Sequence, residues 1–159
     1  MKKKLYIMVG IPASGKSTYL DIYRDKAIVI SRDEIRYSFL EEGDKYFDKE
    51  KETYREYIRQ IQEALDDKNC NKDIYADATQ IDSYSRGKLL RNLYLKNTDV
   101  YCIYIKISLD KAKERNRKRE GLARTPEKSI EDLYSVLEVP SLEEFNYKTI
   151  ITISNEFDK

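Results

Sequence analysis

The segment from Gly10 to Thr18 reads G-I-P-A-S-G-K-S-T and has the residue types and spacing of a phosphate-binding loop. Glycine at both ends of the G-x-x-x-x-G-K-S pattern lets the backbone curl tightly, so that its N–H groups converge on phosphate oxygens. In this pattern Lys16 supplies a cation for the β and γ phosphates, and Ser17 supplies a hydroxyl oxygen for Mg²⁺. The alternative is a glycine-bearing turn that binds nothing. The whole loop is predicted to contact the phosphates of ATP or another nucleoside triphosphate: Gly10, Ile11, Pro12, Ala13, Ser14, Gly15, Lys16, Ser17 and Thr18.

A carboxylate and a guanidinium follow the second apolar run of the chain, in the segment S-R-D-E-I-R. Asp33 and Arg36 are three residues apart, so on a helix both face the same side. Such a carboxylate can accept a hydroxyl proton during phosphoryl transfer, and such a guanidinium can bind a phosphate of the acceptor. The alternative for Asp33, or for Ser31, is a helix N-cap.

Asp77 follows the third apolar run, where an acidic residue can hold or orient Mg²⁺ in a phosphate-binding-loop fold. A turn cap is the other interpretation of Asp77, and the two roles are compatible. The most basic stretch of the chain places Arg115 and Arg119 four residues apart, so on one helix they share a face. They are expected to contact the β and γ phosphates, or else to form a solvated helix side. Arg124 is expected at the tip of a lid that hinges at Gly121.

Apolar runs typical of strands alternate with helix-like stretches along the chain, which predicts an α/β fold. We expect a central parallel sheet of about five strands flanked by helices, with the ligand at the carboxyl ends of the strands. The strand predictions are 5–9, 27–30, 73–76, 100–107 and 149–153. The helix predictions are 17–24, 33–41, 48–68, 83–96, 109–120 and 126–138.

Length and composition restrict the functional classes. The 159 residues fit a single domain over 1–159, and the net charge of +1 argues against an extensive electrostatic grip on nucleic acid. There is no histidine, and the two cysteines match no metal-binding spacing. No apolar run approaches a membrane span, so we expect no membrane association and a cytoplasmic location, as in a bacterial or phage-infected cell. The oligomeric state stays open.

The chain resembles the kinase domain of 5′-hydroxyl polynucleotide kinases of the phage and animal types. The resemblance rests on the loop, on R-D-E-I-R at 32–36, on A-D-A-T at 76–79, on R-N-R-K-R at 115–119, and on L-E-V-P-S-L-E-E at 137–144. It implies a P-loop fold with an arginine-bearing helical lid at approximately 115–140. It also implies a nucleic-acid repair enzyme that uses ATP and Mg²⁺ to phosphorylate the 5′-OH end of DNA or RNA.

The same resemblance implies a role for each candidate residue. Asp33 would be the general base, and Arg36 would bind the phosphate of the terminal nucleotide. Lys16 and Arg119 would activate the ATP phosphates, with Arg115 in support. The sequence carries no D-x-D-G-T motif, so a 3′-phosphatase activity is not predicted.

Two other functional classes compete with this interpretation. One is a P-loop kinase of a small hydroxyl acceptor, such as a nucleoside, an antibiotic or another metabolite. The other is a non-catalytic ATP-binding switch module, against which Asp33 argues, because a switch needs no acceptor base. The aromatic residues Tyr46, Phe47, Tyr54 and Tyr57 either stack on terminal bases or are half-buried or core residues, and their helical spacing favours the latter.

Overall fold

Residues 2–155 are described by a computed structural model, in which one or two helices connect each of five parallel strands to the next, six α-helices in all. The single domain expected over 1–159 also includes Met1 and residues 156–159, which lie outside the described residues. The strands are β1 (Lys3–Val9), β2 (Ile28–Ser31), β3 (Ile74–Asp77), β4 (Thr98–Lys106) and β5 (Ile150–Ser154). The helices are α1 (Lys16–Asp21), α2 (Arg32–Phe39), α3 (Glu50–Asp66), α4 (Ser83–Arg91), α5 (Leu109–Arg117) and α6 (Glu127–Val136). Among residues 2–155, no helix is long and apolar enough to cross a lipid bilayer.

The strands form one sheet in the order β2-β3-β1-β4-β5, with every neighbouring pair parallel. The predicted central parallel sheet is thereby confirmed. β1 lies in the middle, and Leu5 and Ile7 are fully buried, as expected for a strand covered on both faces. Parallel pairing brings the carboxyl ends of the strands to one edge, where Ser31 of β2 pairs with Asp77 of β3. The phosphate-binding loop leaves β1 at this same edge.

Helices cover both faces of the sheet. On one face, α3 and α4 contribute Tyr57, Ile61 and Leu89 to the largest buried cluster. On the other face, Leu20 of α1 packs with Met8, Ile103 and other residues of the central strands. A third cluster joins α5 and α6 to the loop that follows β1. Core residues therefore cover both faces of the sheet and reach the loop that follows β1.

Every α-helix of the described chain ends two to five residues earlier than predicted, and two of these differences, in α1 and α5, matter for the site. α1 ends at Asp21 rather than residue 24, because tight turns follow it, including the bond from the Tyr23 N–H to the Leu20 carbonyl at 2.9 Å. α5 ends at Arg117 rather than residue 120. The N–H of Arg119 then donates to the Asn116 carbonyl at 3.0 Å in a closing turn. The expectation that Arg115 and Arg119 share one helix face is wrong, because Arg119 lies beyond the helix.

Arg86 of α4 joins the helix to the segment that precedes β5. Its side chain is fully buried and donates to both carboxylate oxygens of Glu144, at 2.7 and 2.9 Å. It also donates to the carbonyls of Gln80 and Glu138, at 2.8 and 2.9 Å. The bond to Gln80 matters for the site, because Gln80 follows β3 at the functional edge and its amide donates to the Met8 carbonyl of β1.

Candidate functional site

The loop from Gly10 to Thr18 has the backbone that its glycines predict. Gly15 adopts a φ of 104°, in the left-handed region that side chains disfavour, and immediately precedes α1. A Cβ on Gly10 would lie 2.7 Å from Oγ of the fully buried Ser14. The Gly10 N–H donates to the Thr79 carbonyl at 3.1 Å, which fixes the loop to the segment after β3. The strand, the loop and the helix therefore form one rigid cradle.

Lys16 folds back over this cradle. Its Nζ donates to the carbonyl oxygens of Gly10 and Ile11, at 2.8 and 3.1 Å. Burial lowers the pKa of Lys16, and the nearby carboxylates of Asp77 and Asp33 oppose that shift. The ammonium thus lies over the loop, where a bound phosphate would replace the two carbonyl contacts. Ser17 and Thr18 follow it on α1 and are exposed.

Asp77 is the last residue of β3 and is only 7% exposed. Burial raises the pKa of its carboxyl group to about 6, although the positive charge of Lys16 acts in the opposite direction. The helix that follows is capped by Asp82, which accepts from the Ser85 N–H at 2.8 Å, so Asp77 does not serve as the cap of α4. The Asp77 carboxylate lies near two other charges: Lys16 lowers its pKa, and Asp33 raises it.

The carboxylate of Asp33 is held on one oxygen. Its Oδ1 accepts from the Tyr46 hydroxyl at 2.8 Å and from the Arg36 guanidinium. Its Oδ2 accepts no hydrogen bond from residues 2–155, and the side chain is 59% exposed. The N-cap of α2 is Ser31, which accepts from the Glu34 N–H at 3.2 Å, so Asp33 is not needed for capping. Asp33 therefore keeps one carboxylate oxygen that accepts no hydrogen bond from the described residues.

Arg36 is 4% exposed, and Glu50 is its main hydrogen-bond partner. The sequence analysis did not predict Glu50 as a site residue. The guanidinium binds both oxygens of Glu50, at 2.8 and 2.6 Å, and Nη1 also donates to the Tyr46 hydroxyl at 2.8 Å. Burial acts to lower the pKa of Arg36, but the bonds to Glu50 outweigh it and the pKa is raised. Arg32 donates to the same carboxylate at 2.8 Å. One glutamate thus anchors two cations beside Asp33.

A cavity of about 350 Å³ brings residues of the loop and of the neighbouring strand ends together. It opens between the loop, the start of α2 and the segment after α5. The predicted site residues that line it are Pro12, Ala13, Ser14, Lys16, Ser17, Asp33, Arg36, Asp77 and Arg119. Its wall also contains residues that were not predicted as site residues: Arg32, Tyr46, Phe47, Glu50, Ala78, Thr79, Thr125, Ser129 and Leu133.

A second cavity, of about 690 Å³, lies on the other side of the loop. Arg115 and Arg119 line it together with Gly15 and Thr18, so Arg119 borders both cavities. Asn155, which follows β5, donates to the Ser14 carbonyl at 2.7 Å and accepts from Arg115 at 3.3 Å. Asn155 is a further residue that the sequence reasoning missed.

The segment that follows α5 forms part of the wall of the first cavity, through Arg119 and Thr125. The buried side chain of Asn116 exchanges two hydrogen bonds with the backbone of Thr125, at 2.6 and 2.9 Å. The Tyr37 hydroxyl of α2 donates to the Leu122 carbonyl at 3.2 Å, which connects the segment to the opposite wall. Arg124 is exposed and lines neither cavity, so its contact with ATP and the closing of a lid stay predictions.

The four aromatic residues have different environments. Tyr57 is 1% exposed and belongs to the core. Tyr46 and Tyr54 are half-buried, in agreement with the favoured interpretation. Phe47 is 59% exposed at the rim of the first cavity, so that interpretation is wrong for Phe47.

Comparison with known families shows a match over most of the chain. The family profile AAA_33, described as an AAA domain, matches residues 5–140. A sequence search of curated proteins returned no match.

Solved structures with the same fold include kinases of different acceptors. A fungal RNA kinase superposes with a TM-score of 0.68 at 12% identity, over 100% of this chain and 40% of that chain. A chain of the Pnkp1/Rnl/Hen1 RNA repair complex superposes with a TM-score of 0.69 at 22% identity, over 86% of this chain and 44% of that chain. An unliganded sugar kinase from Janibacter sp. HTCC2649 gives a TM-score of 0.64 at 17% identity, over 97% and 86% of the two chains. At these identities the likeness demonstrates the P-loop kinase fold and leaves the acceptor open.

Proposed function

The chain belongs to the AAA_33 family of AAA domains, and from that premise we propose that it is a polynucleotide 5′-hydroxyl kinase. It would transfer the γ-phosphate of ATP to the 5′-OH end of DNA or RNA. One observation carries the proposal: a single cavity is lined by the loop lysine Lys16, by Asp33 and by Arg119. A donor phosphate and an acceptor hydroxyl can therefore meet in one place.

In the proposed reaction Asp33 is the general base. The acceptor hydroxyl gives its proton to Oδ2 of Asp33 as its oxygen bonds to the γ-phosphorus. The bond from that phosphorus to the β–γ bridging oxygen breaks, and ADP leaves with that oxygen. Arg36 and Tyr46 support the base by holding Oδ1, which leaves Oδ2 directed at the acceptor.

The donor phosphates would be held by the loop N–H groups and by the cations around them. Lys16 would exchange its two carbonyl contacts for the β and γ phosphates. Arg119 borders both cavities and is suited to neutralise charge on the transferring group, with Arg115 supporting it from the second cavity. In the proposed lid, at approximately 115–140, Arg124 would approach the phosphates only on closing.

Mg²⁺ fits the chemistry of two donors at the strand ends. Ser17 offers a hydroxyl oxygen and Asp77 a buried carboxylate, and hard oxygen ligands are those that Mg²⁺ prefers. Residues 2–155 contain no cluster of three or more carboxylate, histidine or cysteine ligands, which suits an ion bound mainly through phosphates and water. When bound, Mg²⁺ would neutralise charge on the phosphate oxygens.

Arg36 is proposed to contact the acceptor phosphate with its remaining donor. Its Nε bonds to Glu50, its Nη1 bonds to Asp33 and Tyr46, and its Nη2 bonds once to Glu50. Of the five N–H groups of a guanidinium, one on Nη2 has no partner among the described residues. The neighbouring Arg32 has a buried Nε with no hydrogen-bond partner in the described chain. Both donors favour an acceptor that carries a phosphate beside its hydroxyl.

The test is transfer of label from γ-labelled ATP to a panel of acceptors. The panel contains 5′-OH oligonucleotides of DNA and RNA, nucleosides, nucleoside 3′-phosphates, and a sugar and gluconate. We expect label on the 5′-OH oligonucleotides and on the nucleoside 3′-phosphates, and far less on acceptors that lack a phosphate. Transfer to the sugar, gluconate or nucleosides without transfer to oligonucleotides would contradict the proposal and assign a small-acceptor kinase.

A further inference from the structure

A separate cleft of about 460 Å³ lies between α3 and α4, beside the first cavity. The two share Arg32, Glu50 and Thr79 as lining residues, so the cleft continues directly from the acceptor side of the site. Its volume lies within the ~300–1,000 Å³ of typical ligand sites. None of the roles assigned above uses the cleft beyond Arg32 and Glu50.

The charge of the cleft is positive. Arg32, Lys51 and Lys88 line it, and the one carboxylate in its lining, Glu50, is already bound by Arg32 and Arg36. Lys51 and Lys88 form no ion pair with any carboxylate of residues 2–155. This positive charge is local, since the whole chain carries only +1. The cleft therefore favours binding of an anionic ligand, whereas the protein surface as a whole does not.

Two tyrosines give the cleft flat apolar surfaces. Tyr54 is half-buried and lies between two cations, with Arg32 at 4.9 Å and Lys88 at 4.8 Å from its ring centroid. Tyr84, in the first turn of α4, is 69% exposed at the rim. Cations beside an exposed aromatic ring, here Tyr84, are the arrangement by which proteins bind single-stranded nucleic acid, through phosphate contacts and base stacking.

We propose that this cleft binds the second nucleotide of a single-stranded 5′-OH acceptor, with the phosphate on the 3′ side of that nucleotide at Lys88 and its base against Tyr84, while Arg32 lies beside the phosphate that joins the two nucleotides. The inference rests on the proposed function, because the first nucleotide must lie at Asp33. It adds a reason for the enzyme to prefer oligonucleotides over mononucleotides. Lys51 and Tyr54 complete the walls of the cleft.

The test measures kcat/KM for a nucleoside 3′-phosphate, a dinucleotide 3′-phosphate and a single-stranded hexanucleotide, all with 5′-OH ends. For the wild-type protein we expect about a tenfold rise from the nucleoside 3′-phosphate to the dinucleotide, since stacking of one base contributes about that factor or more. Lys88→Ala and Tyr84→Ala should each remove most of this gain, through KM rather than kcat. Lys88→Ala should also reduce the slope of log KM against the logarithm of the salt concentration by about 0.7. This is the change expected for one lost phosphate contact on a single strand.

Matched controls lie away from the cleft. Tyr94 is 67% exposed and lines a cavity with Asn97, beyond the far end of α4, and Lys72 is exposed ahead of β3. Tyr94→Ala and Lys72→Ala should keep the wild-type gain with acceptor length.

A wild-type kcat/KM that is the same for all three acceptors would overturn the cleft proposal and leave the kinase proposal standing. So would a full gain in both cleft variants. If no 5′-OH acceptor of any length is phosphorylated while a small metabolite is, the proposed function itself has failed.

Discussion

Asp33→Asn removes the proposed base while it keeps the hydrogen bonds of the side chain. The amide oxygen of asparagine can still accept the bonds that Tyr46 and Arg36 now make to Oδ1. The amide nitrogen replaces the free Oδ2 and cannot accept a proton. The side chain is 59% exposed, so the substitution leaves no buried group without a partner. The variant should therefore fold normally, and it loses the proton acceptor together with one negative charge.

The expected loss in kcat is about 10²- to 10⁴-fold, the usual contribution of a general base, which corresponds to roughly 3–5 kcal/mol in activation free energy. Single-turnover transfer to a 5′-OH oligonucleotide measures it, and fluorescence titration with a labelled ATP analogue should show a Kd within about threefold of the wild type. Glu34→Gln is the matched control, because Glu34 is the exposed neighbour on α2 and, within residues 2–155, forms an ion pair with Arg24 alone, at 3.4 Å. A kcat of D33N within a few-fold of the wild type would refute the base assignment, whatever the ATP affinity.

Three further predictions concern acceptor binding, pH and stability. Arg36→Lys removes the two-point contact with Glu50 and should raise the acceptor KM about tenfold or more while ATP affinity changes little; a larger effect on ATP would mean that the acceptor binds elsewhere. The Asp77 carboxyl has a pKa of about 6 in the folded chain, above the ~3.9 of an unfolded aspartate, so the folded state binds more protons between those values and ionisation of Asp77 lowers stability as pH rises. Protonation removes the carboxylate charge that is proposed to hold Mg²⁺, so we expect kcat/KM to fall as pH drops through about 6. Asp77→Asn should be less active for the same reason, yet it should melt at a higher temperature than the wild type at about pH 7.5 without nucleotide, because no buried charge remains at this position. A lower melting temperature of Asp77→Asn would contradict this. Glu144→Ala leaves the fully buried Arg86 without its carboxylate and should lower the free energy of unfolding in urea by about 3–5 kcal/mol, whereas a loss below about 1 kcal/mol would show that the pair contributes little.

The features that could be predicted from the sequence are those specified over a few neighbouring residues. The five strands are short apolar runs, and the loop from Gly10 to Ser17 is a local pattern, so both could be located without tertiary information. The pairing of Asp33 with Arg36 follows from a spacing of three residues on a helix.

The features that were missed depend on contacts between distant parts of the chain. Glu50 reaches Arg36 across 14 residues, and Asn155 reaches Ser14 across 141 residues. The end of α5 was misplaced for a similar reason. Its basic sequence favours a longer helix, but the bonds from Asn116 to Thr125 and the positive φ of Gly121 close the chain into a turn.

The most direct test of the kinase proposal is the position of the transferred phosphate. One oligonucleotide is prepared with a 5′-OH end and, separately, with a 5′-phosphate, and each is incubated with γ-labelled ATP, Mg²⁺ and the protein. The 5′-OH form should gain one labelled phosphate, located at its 5′ end by mass spectrometry of the digested product, and the 5′-phosphorylated form should gain none. Equal labelling of the two forms, or no labelling of either while a small hydroxyl acceptor is phosphorylated, would contradict the proposal.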